Sequence, residues 1–339
     1  MKRRYSVFGL IVETHHAFRN PMAPASPESP VDLTFTLRTA ACGASRPLSG
    51  LAFASEHTNR FGESSVQVFH DGPQWVMRFP RIADFLIRQG EIVCDLAAPE
   101  LSYMVEVCLL GHVLAFYLEL TEVVAIHAAA VASGDRAVLF AADQSGGKTT
   151  IVASLVAAGH PLVSDDISGL SVAPAPPEGS GEDDGPSAVI CRRGFPQVKL
   201  SPDQARFFVG RSDGFERFHP GFEKLGVPVR DFGAFAADDL PVSCLYVLNR
   251  GPVGPAPVTI EPLAPGEALV HLVRHSFLFK IVEQTSLRVP RLERLGRIVR
   301  GVRVARLSYP SGLDRLGDVR TAVLAHLAEQ DAVSHFQGS

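Results

Sequence analysis

Residues 127–170 read HAAAVASGDRAVLFAADQSGGKTTIVASLVAAGHPLVSDDISGL, and this stretch decides the fold. An unbroken apolar run at 137–140 reads as a buried strand. It leads into a short polar loop, then to Lys148, Thr149 and Thr150 at the head of an apolar helix that ends at Ala158. Gly159 stops that helix, as a glycine in the left-handed cap position does. A second strand, residues 161–164, ends on two adjacent carboxylates, Asp165 and Asp166. Strand, glycine-bearing loop, Lys-Thr and helix, in that order, make a phosphate-binding loop of the Walker A type.

The residue types follow from the chemistry of anions. Gly146 and Gly147 let successive backbone N–H groups turn toward one phosphate. The helix aims the positive end of its dipole at the same point. Lys148 adds a point charge for the β- and γ-phosphates of a nucleotide, and Thr149 offers a hydroxyl to magnesium. The nucleotide-contacting set is therefore Ala142, Asp143, Gln144, Ser145, Gly146, Gly147, Lys148, Thr149 and Thr150. Ala142 stands where the G-x-x-x-x-G-K-[ST] pattern has its first glycine. Alanine resists positive φ, so that corner must take an ordinary backbone angle or be strained. The bland alternative is a loop that keeps its shape and has lost its nucleotide.

Asp165 and Asp166 lie 17 and 18 residues after Lys148. Ligands of open α/β sheets sit at the carboxyl ends of the strands, so both aspartates are expected to face the loop. One of them can hold magnesium, directly or through water. The other can accept the proton of an attacking hydroxyl. An aspartate pair that merely caps a turn is the competing reading. His127, 21 residues before Lys148, reads by itself as an ordinary core or turn histidine.

The run from His127 to Asp166 resembles the catalytic core of HPr kinase/phosphorylase and of the HPr-kinase-like proteins, as a divergent relative. That family has a histidine at the same interval before the loop lysine, then a GH-x-L-x-x-DD segment. This chain carries Gly159, His160, Pro161 and Leu162, followed by Asp165 and Asp166. The resemblance implies Asp166 as proton acceptor, Lys148 on phosphate, Thr149 on magnesium and His127 supporting the site; of the carboxylate pair, Asp165 is then the one left to hold the metal and assist catalysis. It implies an ATP-dependent kinase with magnesium, and an oligomeric assembly. Residues 5–10 and 307–310 resemble the family's opening and closing segments less specifically. The family's downstream signature begins with a metal-binding glutamate; at the corresponding distance stands Cys191, in Cys191-Arg192-Arg193-Gly194-Phe195-Pro196. A later family arginine corresponds loosely to Arg230.

The 339-residue chain is long enough for two domains, with 46% apolar and 20% charged residues and a formal charge of −4. That balance points away from a general nucleic-acid binder. Five scattered cysteines, with no metal spacing, fit a reducing cytoplasm better than a disulfide framework. No long apolar run follows the basic N-terminus, so secretion is not expected. The most apolar stretch, 107–118, is interrupted by Gly111 and His112 and reads as a buried helix rather than a membrane span.

The expected fold is α/β. A β-rich N-terminal domain (1–120) precedes a P-loop core resembling the HPr kinase C-terminal domain (121–330), with a frayed tail (331–339). In the first domain, residues 4–12 read as one strand, and 31–37, 65–70, 74–78 and 91–96 as others, with a short helix at 82–88. Beyond the core, 172–188 reads as an acidic, proline- and glycine-rich loop. Arg192, Arg193 and Lys199 lie close to the expected active face. Ser201-Pro202 opens a helix, 242–249 is a buried strand, 264–283 one helix, 302–307 a strand and 316–329 the closing helix. The function expected is transfer of the γ-phosphate of ATP to a hydroxyl, either a peptide or protein serine or a small-molecule alcohol. The alternative is a nucleotide-binding sensor or binding partner in peptide maturation that transfers nothing.

Overall fold

A computed structural model describes residues 2–39, 47–173, 188–217 and 221–337. The chain forms two compact units. One comprises residues 1–122 with 278–291, the other 123–277 with 292–339.

The first unit is built on nine strands: β1 (Arg3–Val7), β2 (Leu10–Thr14), β3 (Ala23–Pro24), β4 (Leu33–Thr39), β5 (Leu51–Ala54), β6 (Gln67–Asp71), β7 (Gln74–Phe79), β8 (Ala83–Arg88) and β9 (Glu91–Leu96). Their order is β3-β1-β2-β4-β9-β8-β7-β6-β5, antiparallel except at β2–β4 and β4–β9. A helical run follows: a 3-10 turn at Pro99–Leu101, α1 (Ser102–Cys108), a π turn at Leu109–Val113 and α2 (Leu114–Leu120). By length and apolarity this run could cross a bilayer. Within its unit Phe116 meets Trp75 edge to face at 5.3 Å, and the Tyr117 hydroxyl accepts from the Gly90 N–H at 3.1 Å.

Two expectations fail here. Residues 4–12 are not one strand but the hairpin of β1 and β2, turned by Phe8 (φ 51°) and Gly9 (φ 77°). Phe8 accepts the left-handed turn because its ring is buried, 2% exposed. Residues 82–88 are not a helix: β8 is paired on both sides, by β7 and β9. Its burial alternates only weakly, so tertiary pairing overrides the local pattern.

The second unit contains β10 (Val124–Ile126), β11 (Ala128–Ser133), β12 (Arg136–Ala141), α3 (Lys148–Ala157), β13 (Leu162–Ser164), β14 (Ser168–Val172), β15 (Val189–Arg192), β16 (Gln197–Leu200), α4 (Pro202–Val209), β17 (Leu225–Pro228), β18 (Leu240–Val253), β19 (Thr259–Pro262), α5 (Pro265–Arg274), β20 (Arg303–Ser311) and α8 (Leu316–Gln337). Between α5 and β20 come α6 (Phe279–Glu283), which belongs to the first unit, and α7 (Arg288–Gly301). The main sheet runs β10-β14-β15-β18-β12-β11-β13, and β20 pairs with both β18 and β19. β18 is parallel to its neighbours β12 and β20, whereas β11 runs antiparallel to β12.

Both faces of β12 are covered, which is why its sequence is apolar without interruption. Val138 and Phe140 pack with Ile151 and Leu155 of α3 and Val319 and Val323 of α8. Ala137, Leu139 and Ala141 pack on the other face with Leu272 of α5 and Leu295 and Ile298 of α7. The Ser201 helix start is a full capping box: the Ser201 side chain accepts from Gln204 N, and the Gln204 side chain reaches back.

Residues 264–283 are not one helix. After α5 the chain turns out of the helix so that His275 O accepts from His127 N (2.7 Å) and Phe277 N donates to Ala125 O (3.0 Å). Pairing to the segment from Ala125 to His127 outweighs continuing the helix. α8 continues to Gln337. Most of the expected 172–188 loop, residues 174–187, lies outside the described residues.

Phe140 is fully buried and stacks on Tyr246 of β18 at 5.5 Å. Its replacement by alanine is expected to cost about 3–5 kcal/mol, read as a loss of denaturant midpoint with unchanged slope. A cost below about 1 kcal/mol would mean that this face of β12 is not the core.

Candidate active site

The loop between β12 and α3 is closed by its own backbone. Gly146 N donates to Asp143 O at 3.0 Å, and the Tyr309 hydroxyl, from β20, donates to Gly146 O at 3.0 Å. Positive φ falls at Ser145 (62°) and Gly147 (94°), and Ala142 is not among the described residues with positive φ. The corner that lacks the pattern's glycine therefore takes an ordinary angle. Gly146 cannot be replaced cheaply, because a Cβ there would sit 2.6 Å from the Ala142 Cβ. A Cβ on Gly147 would meet the Tyr309 hydroxyl at 2.2 Å. No side chain caps the start of α3, so its first backbone N–H groups are left for a ligand.

The Lys148 ammonium donates to Ala142 O (2.9 Å) and Asp143 O (3.2 Å). Its burial pulls the lysine pKa below the ordinary value. Asp143 is ion-paired with Arg274, at the end of α5, and has His275 at 3.7 Å. An acid in a phosphate loop is thereby neutralised from outside the loop.

The two carboxylates have different surroundings. Asp165 is 8% exposed; it accepts from the Thr149 hydroxyl at 2.9 Å and from Lys199 N at 2.9 Å. Burial lifts its pKa, and neighbouring Asp166 adds to the rise. Asp166 takes a left-handed backbone (φ 71°), unusual outside glycine. It accepts from the Lys199 ammonium at 2.7 Å and lies 3.3 Å from His127 Nε2. Burial works to raise its pKa, but Lys199 and His127 prevail and hold it well below the carboxylate range. Asp166 is thus an anion with 32% of its side chain open to solvent.

These groups line one cleft of about 500 Å³. It brings together His127, the loop from Gln144 to Thr150, and Asp166. Ala142, Asp143 and Asp165 do not line it: the first two hold Lys148 through their carbonyls, and Asp165 holds Thr149. Other members of the wall were not singled out from the sequence: Gln204, which donates to the Thr150 hydroxyl at 2.7 Å, and Phe222, Lys224 and Arg250. A signal existed for Arg250, the second residue after the apolar run of β18, at the carboxyl end of a parallel strand. Lys199, flagged only as a nearby cation, is the direct partner of Asp166.

Other candidates lie elsewhere. Cys191 is fully buried in the apolar core. Arg192 pairs with Asp239 at 2.8 Å, and Arg193 lies over the Phe235 ring. Arg230 is 83% exposed beside Asp231. None of the four lines the cleft.

For magnesium, the fit rests on Thr149 and Asp165. The Thr149 proton points to Asp165, leaving the hydroxyl lone pairs for a cation backed by a carboxylate. Magnesium favours one or two such protein groups, with waters and phosphate oxygens completing its shell. Among the described residues no cluster of three or more His, Cys, Asp or Glu is poised to hold a metal.

No protein-family model and no curated protein matches the chain. Among solved structures it is similar to the Hpr(Ser) kinase/phosphatase from Coxiella burnetii, with 16% identity over 60% of this chain and 97% of that one, at a TM-score of 0.31.

His275 supplies a test of the site's foundation. Burial pushes its pKa down to about 4 from an ordinary 6.5. The unfolded chain therefore binds a proton between those values that the folded chain refuses. Stability is full above pH 6.5 and falls as pH drops toward 4, by on the order of 3 kcal/mol from this group. In His275→Gln the melting temperature should fall less steeply across that window than in wild type. Parallel curves would show that His275 is solvated.

Proposed function

We propose that the cleft binds Mg-ATP on residues 142–150 and transfers the γ-phosphoryl group to a hydroxyl, of a peptide or protein serine or of a small-molecule alcohol. The observation that carries this reading is the division of labour between the two aspartates. Asp165 is buried behind Thr149, on the loop side. Asp166 stays anionic and open to the cleft, between Lys199 and His127.

In the transfer, the acceptor oxygen forms a bond to the γ-phosphorus as the bond from that phosphorus to the β–γ bridging oxygen breaks, and ADP leaves. The hydroxyl proton passes to Asp166. Such transition states are loose, so the acceptor becomes acidic only as the new bond forms. A carboxylate of low basicity suits a late proton transfer, and its ion pair keeps it aimed. Lys148 moves from its carbonyl partners to phosphate. Thr149, backed by Asp165, would hold magnesium, which neutralises phosphate charge.

Cys191 supports a second reading. With a buried thiol where the resembling enzymes carry a metal-binding glutamate, the chain is a nucleotide sensor that transfers nothing. Two measurements separate the readings. Mg-ATP at about 100 times its dissociation constant should stabilise wild type by roughly 2.7 kcal/mol, a shift of a few degrees, and Lys148→Ala should lose it. ADP release with serine peptides or alcohols should fall about 10²–10⁴-fold in Asp166→Asn while the thermal shift remains. A shift without any ADP release in wild type favours the sensor; no shift at all sinks both.

The Arg274 pair gives an independent check. Arg274→Gln leaves Asp143 uncompensated beside the phosphates, so Mg-ATP affinity should drop about two- to fivefold, the scale of an exposed ion pair. Adding Asp143→Asn should restore it. Failure of that rescue would show that Arg274 acts on something other than the loop charge.

A further inference from the structure

The chemistry above uses one flank of the loop. β12, which feeds the loop, lies between β11 and β18. His127 immediately precedes β11, and Asp166 follows β13, the strand beyond β11. On the other flank β18 runs parallel to β12, so its carboxyl end opens on the same loop.

Arg250 lies near that end. Ala141, the last residue of β12, pairs with Val247, and Arg250 comes three residues later, level with the loop. Alternation along the strand fixes its face. Tyr246 and Leu248 pack in the core under α3, with Ile151 and Leu155, and Arg250 follows in the same series. It therefore projects on the side of the sheet where the loop starts α3. Its Cδ lies 3.7 Å from the position a Cβ on Gly147 would take, and the residue lines the cleft. Tyr309, its register partner on β20, donates its hydroxyl to Gly146 O. Strand and loop are thus fastened together where Arg250 projects.

The charge of Arg250 is left over. The side chain is exposed, and among the described residues no carboxylate pairs with it. The other arginine at the loop, Arg274, is ion-paired with Asp143. Further arginines of this unit are also matched: Arg192 with Asp239, Arg211 with Asp231 and Arg306 with Glu267. The backbone N–H groups of a phosphate loop cradle the α- and β-phosphates. A guanidinium beside them can take two oxygens of one phosphate, and it stays charged at any working pH.

We propose that Arg250 is a phosphate-binding residue of the cleft, holding the β-phosphate from the β18 side while Lys148 holds it from the loop. This rests on the nucleotide reading above. It gives the cleft a polarity: γ-phosphate toward Asp166, β-phosphate between Lys148 and Arg250.

The test uses three ligands on the full chain: Mg-ATP, Mg-ADP, which lacks the γ-phosphate, and Mg-tripolyphosphate, which lacks the nucleoside. Affinities are measured calorimetrically for wild type, Arg250→Met and Lys148→Ala. Methionine keeps an apolar stem against Gly147 and removes only the charge. Arg250→Met should weaken all three ligands about tenfold, the scale of one hydrogen bond to a charged group. Lys148→Ala should weaken all three as well. Wild-type affinity for Mg-ADP should also fall more steeply with added salt than that of Arg250→Met. Equal salt slopes would make the loss one of loop shape and overturn the proposal. Loss of Mg-ATP with Mg-ADP unchanged would move Arg250 to the γ-phosphate, and loss of both nucleotides with Mg-tripolyphosphate unchanged would move it to the nucleoside; either overturns the proposal. So would three unchanged affinities while Lys148→Ala is impaired, which spares the nucleotide reading. Wild type that binds none of the three removes both.

Discussion

The buried carboxylate of Asp165 is the fastening on which the cleft depends. One oxygen accepts from Thr149 at the first turn of α3, the other from the backbone of Lys199 in β16. A helix start and a strand outside the main sheet are thereby held to the end of β13 by one side chain. Two hydrogen bonds to the charged form lower the price of an anion in a buried place without abolishing it, since burial still lifts its pKa. The next residue inherits the geometry. With Lys199 N fixed on Asp165, the Lys199 side chain is delivered to Asp166.

That arrangement explains why two adjacent aspartates differ so much. A regular strand would send them to opposite faces. Asp166 instead takes a left-handed angle, so the chain turns between them. The strain of such an angle, of order 1 kcal/mol or more, is offset by the ion pair with Lys199 and the contact with His127. Removing either partner loosens both the charge and the backbone of the residue that faces the cleft.

What could be read from the sequence was what is local in it. Strand, loop and helix occupy consecutive residues, so apolar runs and glycines locate them from 136 to 157. The Ser201 cap is equally local. Tyr309 and Arg250 are not: they reach the loop because β18 lies in parallel register beside β12 and β20 beside β18, and parallel pairing leaves no short-range mark. Arg192 and Arg193 show the converse, since proximity in sequence to Lys199 does not carry them to the cleft. β8 was misread because six residues rich in apolar side chains fit either period. The break after α5 was hidden for another reason: it is set by strand pairing at Ala125 and His127, some 150 residues upstream.

The π turn at Leu109–Val113 sets which way the two halves of the first unit's helical run face. A wide turn is what one surplus residue makes inside a helix. Without that residue the helix would run on unbroken, but Ser102–Cys108 would rotate by about 100° relative to α2. Val105 and Cys108, now buried, would swing away from the interior while Phe116 kept its place against Trp75. The wide turn is thus a phase corrector: it lets two helical segments of different facing share one axis. Related chains one residue shorter here would be expected to show their apolar positions before Leu109 shifted by one place.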